Sequence, residues 1–166
     1  MPMVDLAYNL EEKPFYPNRY IDKSQTLNNM ITVAASNQAG NPLLDANYSN
    51  VELDLFAPGG DVISLYTGNT VRSFSSSSMA ASVVTGIAAL IKSHYPKING
   101  AQIRQVLMET VTSRAGEEVE KNSMLITPNS EKKIKDLFLF EDLCVSGGIV
   151  NAYNAIQAVD KMYNNK

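Results

Sequence analysis

The residues most able to do chemistry are four consecutive serines, 75–78, which stand directly before a proline-free apolar segment, 79–95. This segment predicts a helix, and Pro96 follows just past its end. A serine in the first turn of a buried helix lies beside free backbone N–H groups and the positive end of the helix dipole, which favour developing negative charge. Ser78 is therefore a candidate nucleophile, although a serine at such a position also caps helices without any catalytic role.

A nucleophilic serine needs an adjacent base, and the sequence offers few candidates. His94 is the only histidine, sixteen residues beyond Ser78 on the same predicted helix. At ~1.5 Å per residue the two lie about 24 Å apart, whereas a base must lie within ~3 Å of the hydroxyl. His94 is therefore predicted to be a solvated residue at a helix C-terminus. The single cysteine, Cys144, excludes an internal disulfide and a cysteine-built metal site.

Short apolar runs between turn-forming residues predict the strands before the serine run. Residues 30–35 are rich in β-branched side chains, which predicts a buried strand. Residues 51–56 alternate apolar and acidic side chains, which predicts a strand with one face in water. Further strands are predicted at 61–66 and 70–75. Residues 1–29 are rich in turn formers, which indicates irregular chain at the surface.

Three helices are predicted from residue 79 onward. The first, 79–95, is apolar on nearly all sides, so it belongs in the interior of a protein. The second, 99–112, can be capped by Asn99, and the closing helix, 149–163, is expected to begin near Asn151. Strands followed by long buried helices indicate an α/β layered protein.

The composition fits a single globular domain over residues 1–166, with 45% apolar and 19% charged residues. The charged segment 113–142 predicts an exposed, irregular, insertion-like excursion with one strand at 137–140. A net charge of −3 gives no basic surface for nucleic acid or anionic membranes. No apolar run is long enough to span a bilayer, and residues 1–13 show no signal peptide.

Residues 75–90, SSSSMAASVVTGIAAL, resemble the nucleophile motif of the subtilases, Gly-Thr-Ser-Met-Ala-(Ala/Ser)-Pro-x-Val-(Ala/Thr)-Gly followed by an Ala/Leu-rich helix. Three further segments match the family in order: Ala-Pro-Gly at 57–59, YPKINGAQIRQVLMETV, and the closing SGGIVNAYNA. On these four motifs in register, the chain is identified as a member of the subtilisin-like serine peptidases. It is similar to the carboxy-terminal half of their catalytic domain.

The resemblance implies a fold and a set of site residues. It implies part of a three-layer α/β/α domain with a mostly parallel sheet and a buried central helix. Ser78 takes the nucleophile position of a serine endopeptidase, whose partner is a peptide or protein substrate. Ser76 and Ser77 take positions along which the substrate passes. Tyr16 and Pro17 resemble the segment beside the specificity pocket, where the family's proline is often cis. The sequence fits equally well with Pro17 as an ordinary turn proline.

Several features of a working subtilase are absent. In the family an aspartate and a histidine precede the serine, and the asparagine of the oxyanion hole lies in an Ala-Ala-Gly-Asn segment that this chain lacks. Asn9, in LAYNLEE, is only a weak candidate for that asparagine because the glycine context is missing. Ser76 replaces the motif's glycine, which opposes any backbone conformation with positive φ, and Ser82 replaces its proline. The chain alone is therefore predicted to be inactive, since Ser78 has no base.

Two functions of different classes remain open at this point. The chain is either part of a serine endopeptidase, completed by the missing half, or a catalytically dead subtilase-like module that binds peptides or proteins. No cofactor is predicted, and calcium is implied by the resemblance alone. The resemblance also implies export, since family members are usually exported. Half of a layered domain is expected to expose apolar surface and to self-associate through it.

Overall fold

The structure is a computed structural model that describes residues 5–20 and 25–164. Its strands are β1 Val33–Ser36, β2 Leu55–Pro58, β3 Val62–Tyr66, β4 Thr70–Phe74, β5 Thr112–Ser113, β6 Glu118–Thr127, β7 Ser130–Leu139 and β8 Gly148–Ile149. Its helices are α1 Ser77–His94, α2 Gly100–Glu109 and α3 Ala152–Asn164, with a short 3-10 turn at Phe140–Asp142. The predicted helices at 79–95, 99–112 and 149–163 are confirmed to within three residues at each end.

A four-stranded sheet in the order β1-β2-β8-β5 forms the centre of the fold. The first three strands are parallel and β5 is antiparallel, so the sheet is mostly parallel, as predicted. The buried strand predicted at 30–35 is present, shifted to Val33–Ser36. The strand predicted at 51–56 with one wet face is wrong: Val51 and Glu52 lie in a turn, and Asp54 is fully buried. Asp54 is tolerated there because it is ion-paired with two arginines.

The three helices cover one face of the sheet, where Val33, Ala35, Leu55 and Ala57 point. Helix α1 buries Ala80, Ala81, Val84 and Ile91 against this face. Its opposite side, which includes Ser82, Thr85 and Ala89, is exposed, so α1 is not buried all round as predicted. The described residues place no helix against that side of α1, and this explains the difference.

The other face of the sheet is covered by irregular chain and by Val119 at the base of the β6–β7 hairpin, instead of the second helical layer expected of an α/β/α domain. Ala34 and Phe56 pack here against Leu10, Leu53, Phe140 and Leu143. Leu10 has no exposed surface, so the segment before residue 20 is irregular, as predicted, but does not lie only at the surface. Apolar side chains without regular spacing carry no periodic signal of burial, which is why the sequence pattern missed this contribution.

Strands β6 and β7, of ten residues each, form an antiparallel hairpin, so the prediction of irregular chain at 113–142 is wrong. The predicted strand at 137–140 is only the end of β7. The outer part of the hairpin is exposed and charged, as predicted, but its base is buried through Val119, Lys121 and Ser123. These three residues alternate along β6 and face the body of the protein, whereas the residues between them are exposed or half-buried.

Lys121 is a fully buried lysine at the base of this hairpin. Its ammonium donates hydrogen bonds to the carbonyl oxygens of Ala46, Asn122 (3.1 Å) and Leu44 (3.4 Å), and it lies 4.8 Å from the centre of the Tyr48 ring. Burial lowers the pKa of Lys121 from 10.5 to about 7, against the opposing effect of Asp45. The side chain joins the hairpin to residues 44–46.

We expect Lys121 to make the stability of the protein depend on pH. Below pH 7 the lysine is protonated in both the folded and the unfolded chain, so the fold bears the full cost of burying the charge. Between pH 7 and 10.5 the folded chain has released the proton while the unfolded chain still holds it, so the free energy of unfolding rises with pH, by roughly 1 kcal/mol per pH unit. Urea unfolding at pH 6, 7, 8 and 9 measures the free energy of unfolding at each pH. Lys121→Met should lose the rise and Lys132→Met, an exposed lysine on the same hairpin, should keep it; parallel curves for Lys121→Met and wild type would contradict the expectation.

Strands β3 and β4 form a second hairpin that pairs only with itself among the described strands. Ile63, Leu65 and Val71 lie on one of its faces and are 74%, 83% and 61% exposed. This is apolar surface of the kind expected for part of a layered domain. Self-association through it stays a prediction.

Candidate active site

Helix α1 begins at the serine run, and each serine there has a different environment. Ser76 is the N-cap: its backbone is extended (φ −168°, ψ 162°) and its hydroxyl accepts a hydrogen bond from the N–H of Met79 at 3.4 Å. Any residue adopts this conformation, so the predicted conflict between Ser76 and a positive φ does not arise. Ser75 is exposed, and its hydroxyl contacts the N–H (2.9 Å) and carboxylate (3.4 Å) of Asp61.

Ser77 is fully buried under the start of α1. Its hydroxyl donates to the carboxylate of Asp5 at 2.6 Å and accepts from the N–H of Ala35 at 3.1 Å, in strand β1. Its own N–H donates to the other carboxylate oxygen of Asp5 at 2.9 Å. The Ser77 side chain therefore stabilises the turn from the interior. The contact between Ser77 and substrate stays a prediction.

Ser78 is exposed in the first turn of α1. Within residues 5–20 and 25–164, neither its hydroxyl nor its N–H has a hydrogen-bond partner. Its carbonyl oxygen accepts a bond from the Ser82 hydroxyl at 3.0 Å. Ser82 therefore supplies a hydroxyl donor where the proline of the family motif has no side-chain donor. Among the serines of this turn Ser78 alone offers both a free hydroxyl and a free N–H, the two groups that a nucleophile with its own oxyanion donor requires.

No base lies beside Ser78 in the described part of the chain. His94 is exposed at the opposite end of α1, where its Nδ1 lies 3.2 Å from the carbonyl oxygen of Leu90 and 3.2 Å from the hydroxyl of Ser93. Asn9, a weak sequence candidate for the oxyanion hole, uses its side-chain oxygen to accept from the N–H of Glu11 at 3.1 Å. Within residues 5–20 and 25–164, Ser78 therefore has neither the base nor the second oxyanion donor that a subtilase site requires.

Tyr16 and Pro17, the other predicted substrate-binding residues, are exposed, and the peptide bond between them is cis. The preceding residue, Phe15, packs against the core and anchors this turn. No described hydrogen bond joins Tyr16 or Pro17 to the serine turn. Their contact with substrate stays a prediction.

Gly59, in the Ala-Pro-Gly turn at the end of strand β2, lies very close to strand β1 and to the serine turn because it has no side chain. Its carbonyl oxygen accepts from the N–H of Ser76 at 2.9 Å. A Cβ atom on Gly59 would lie 2.7 Å from the Cβ of Ala35, 2.7 Å from the carbonyl oxygen of Ser76 and 2.9 Å from the Cβ of Ala80. This close contact therefore requires both a glycine at position 59 and a small residue, Ala80, in α1.

We expect Gly59→Ala to lower the free energy of unfolding by roughly 1–3 kcal/mol, because these backbone and Cβ atoms cannot move aside independently. Gly86→Ala is the matched control: a Cβ added to Gly86 would have no atom within 4 Å, and the residue stands inside α1. This variant should stabilise the chain by about 0.5–1 kcal/mol. Denaturant unfolding of both variants measures the difference, and an unchanged midpoint for Gly59→Ala would contradict the close contact.

Sequence reasoning identified Ser78 but missed two residues that hold its turn. Asp5 contacts Ser77 across 72 positions of chain, and Ala35 contacts it from strand β1. Neither residue belongs to the serine motif, and no local spacing connects them with it.

No helix in the described part of the chain is long and apolar enough to cross a membrane.

Comparisons with known proteins place the chain in a family. The model of the subtilase family matches residues 15–126. The chain is 41% identical over 97 residues to a thermostable alkaline protease of Halalkalibacterium halodurans, a match that covers 58% of this chain and 25% of that protein. It is 31% identical over 163 residues to subtilisin-like protease 3 of Plasmodium falciparum, a match that covers 95% of this chain and 18% of that protein. The chain thus spans a quarter or less of the length of these relatives.

Solved structures share the fold. A structure of the subtilase cytotoxin SubAB matches 96% of this chain and 47% of its own, with a TM-score of 0.67 and 19% sequence identity. The A-subunit of an AB5 toxin from E. coli matches 93% of this chain and 47% of its own, with a TM-score of 0.66 and 20% identity. The family model matches about two thirds of this chain, and the chain therefore belongs to the subtilase family.

Proposed function

We propose that this chain is the serine-bearing part of a subtilisin-like serine endopeptidase in which Ser78 attacks the carbonyl carbon of a peptide bond. The observation that supports the proposal is the state of Ser78. It is exposed in the first turn of α1, and its hydroxyl and N–H have no partner in the described chain, while Ser75, Ser76, Ser77 and Ser82 all use their hydroxyls elsewhere.

The geometry supports a defined role for each group at this turn. Attack by the Ser78 oxygen would form a tetrahedral intermediate, and its oxyanion would accept a hydrogen bond from the free N–H of Ser78 near the positive end of α1. The proton of the hydroxyl must pass to a base, which returns it to the leaving amine. The base, the aspartate that orients it and the second oxyanion donor would come from a complementary half-domain of the same family. By the same family analogy the completed protein would be exported.

The test compares the chain alone with the chain joined to the amino-terminal half of a subtilisin catalytic domain, which carries the aspartate and histidine; this second species is called the joined protein below. We expect the chain alone to leave casein and a fluorogenic peptide intact and the joined protein to hydrolyse both. Hydrolysis by the chain alone that is lost in Ser78→Ala would contradict the need for a supplied base. A folded joined protein without activity would support a binding module instead.

A further inference from the structure

Asp5 is hydrogen bonded to the residue directly before the proposed nucleophile. Its two carboxylate oxygens accept from the N–H (2.9 Å) and the hydroxyl (2.6 Å) of Ser77. On the other side, the Ser77 hydroxyl accepts from the N–H of Ala35 in strand β1. Ser77 is thus held between the sheet and Asp5, and it carries the carbonyl of the peptide whose N–H belongs to Ser78.

The chain adopts an unfavourable backbone conformation to bring Asp5 to this place. Ala7 has a φ of 61°, in the left-handed region where its Cβ crowds the following carbonyl oxygen. It has no exposed surface, so it does not lie in a loose surface turn. A non-glycine residue persists in this region only where the surrounding structure fixes it, and such residues occur preferentially at functional sites.

Hydrogen bonds from three directions fix the kink at Ala7. The side-chain oxygen of the buried Asn47 accepts from the N–H groups of Leu6 (3.2 Å) and Tyr8 (2.9 Å), on either side of Ala7. The N–H of Ala7 donates to the carbonyl oxygen of Asp45 at 2.7 Å, and its carbonyl oxygen accepts from the N–H of Met124 in β6 at 2.9 Å. The β6–β7 hairpin and the loop before β2 thus jointly fix the segment that carries Asp5.

We propose that Asp5 is a positioning residue for the Ser78 turn and that the kink at Ala7 places Asp5 at the start of α1. This inference rests on the proposed function of Ser78. Asp5 fixes Ser77, and Ser77 fixes the peptide that carries the Ser78 N–H. Catalytic rates depend on the placement of the nucleophile and the oxyanion donor to within about 1 Å. A carboxylate at a helix N-terminus also stabilises the helix in general, so the test must separate positioning of Ser78 from simple stabilisation of α1.

The first arm measures motion at Ser78 in the 166-residue chain by ¹⁵N relaxation, which needs no activity. In wild type and in the matched control Glu12→Gln, an exposed acid of the same segment, we expect Ser78 to be rigid, with an order parameter near ~0.85. In Asp5→Ala it should fall below ~0.6, while Val84 in the middle of α1 stays unchanged. Asp5→Asn, which still accepts from the Ser77 N–H but not from its hydroxyl, should lie between. An unchanged order parameter at Ser78 in Asp5→Ala, or an equal fall at Val84, would overturn the proposal.

The second arm measures peptide hydrolysis by the joined protein. We expect Asp5→Ala to lower kcat about 10–100-fold with KM within about twofold of wild type, because the Asp5 carboxylate bonds to Ser77 and would act on the Ser78 turn through it. Asp5→Asn should recover part of the loss and Glu12→Gln should match wild type. A loss of stability without a change in kcat would overturn the proposal and leave Asp5 as a helix cap. If the wild-type joined protein is inactive, the proposed function fails, and the relaxation measurement still decides whether Asp5 positions Ser78.

Discussion

Ser78→Ala in the joined protein is expected to lower kcat for a peptide substrate by roughly 10⁶-fold while KM changes little. Removal of the nucleophile abolishes the covalent route, and only the much weaker catalysis by binding and oxyanion stabilisation remains. The fold should not change, because the Ser78 hydroxyl is exposed and has no partner in the described chain. Initial rates over a range of substrate concentrations measure the effect.

Ser75→Ala is the matched control in the same run of serines. The Ser75 residue is exposed, and among the described residues its hydroxyl bonds to Asp61, beside strand β3, so its loss should leave kcat within a few-fold of the unmutated joined protein. Equal losses in both variants would show that the turn as a whole, and not Ser78 in particular, is required. Full activity in Ser78→Ala would contradict the assignment of the nucleophile.

Asp54→Ala is expected to lower the free energy of unfolding by roughly 3–5 kcal/mol, the largest stability effect we predict. Asp54 is fully buried, and one carboxylate oxygen accepts from Arg104 at 2.5 Å and from Arg19 at 3.3 Å. The other oxygen accepts from the N–H of Thr32 at 2.8 Å. Its removal leaves a buried N–H without its partner and two largely buried guanidinium groups without their counter-charge.

Glu120→Gln provides the contrast, since Glu120 pairs with Lys135 on the exposed part of the β6–β7 hairpin. Exposed pairs contribute about 0–1 kcal/mol, so this variant should unfold close to wild type. Urea denaturation of both variants at neutral pH gives the comparison. Similar midpoints for Asp54→Ala and Glu120→Gln would show that the buried carboxylate does not anchor strand β2.

The sequence predicted the elements whose side chains follow a regular spacing. The helix at 79–95 and the strand at 30–35 were found because apolar spacing and turn residues bound them clearly. The strand predicted at 51–56 lies instead at Leu55–Pro58, because an acidic residue within an apolar alternation predicts an exposed face, whereas Asp54 is buried and paired with arginines from distant parts of the chain. The hairpin at 118–139 was missed because its many charged residues hide the alternation of the few inward side chains.

The candidate site was predictable only as far as its local motif extends. Ser78 and the Ala-Pro-Gly turn were found from short motifs in register, and Gly59 gives that turn a steric reason. Asp5 could not be found in this way, because its role depends on a contact across 72 positions and on a kink at Ala7. Long-range contacts of single polar residues leave no periodic trace in the sequence.

The most direct test of the central claim, that Ser78 is the nucleophile of a subtilase-type site, is labelling of the joined protein with a fluorophosphonate, followed by peptide mapping by mass spectrometry. The probe reacts with a serine only where a base activates it. We expect one label per molecule, on Ser78, and little or none on the chain alone or on Ser78→Ala. A folded joined protein that remains unlabelled at Ser78, or that is labelled equally in Ser78→Ala, would contradict the claim.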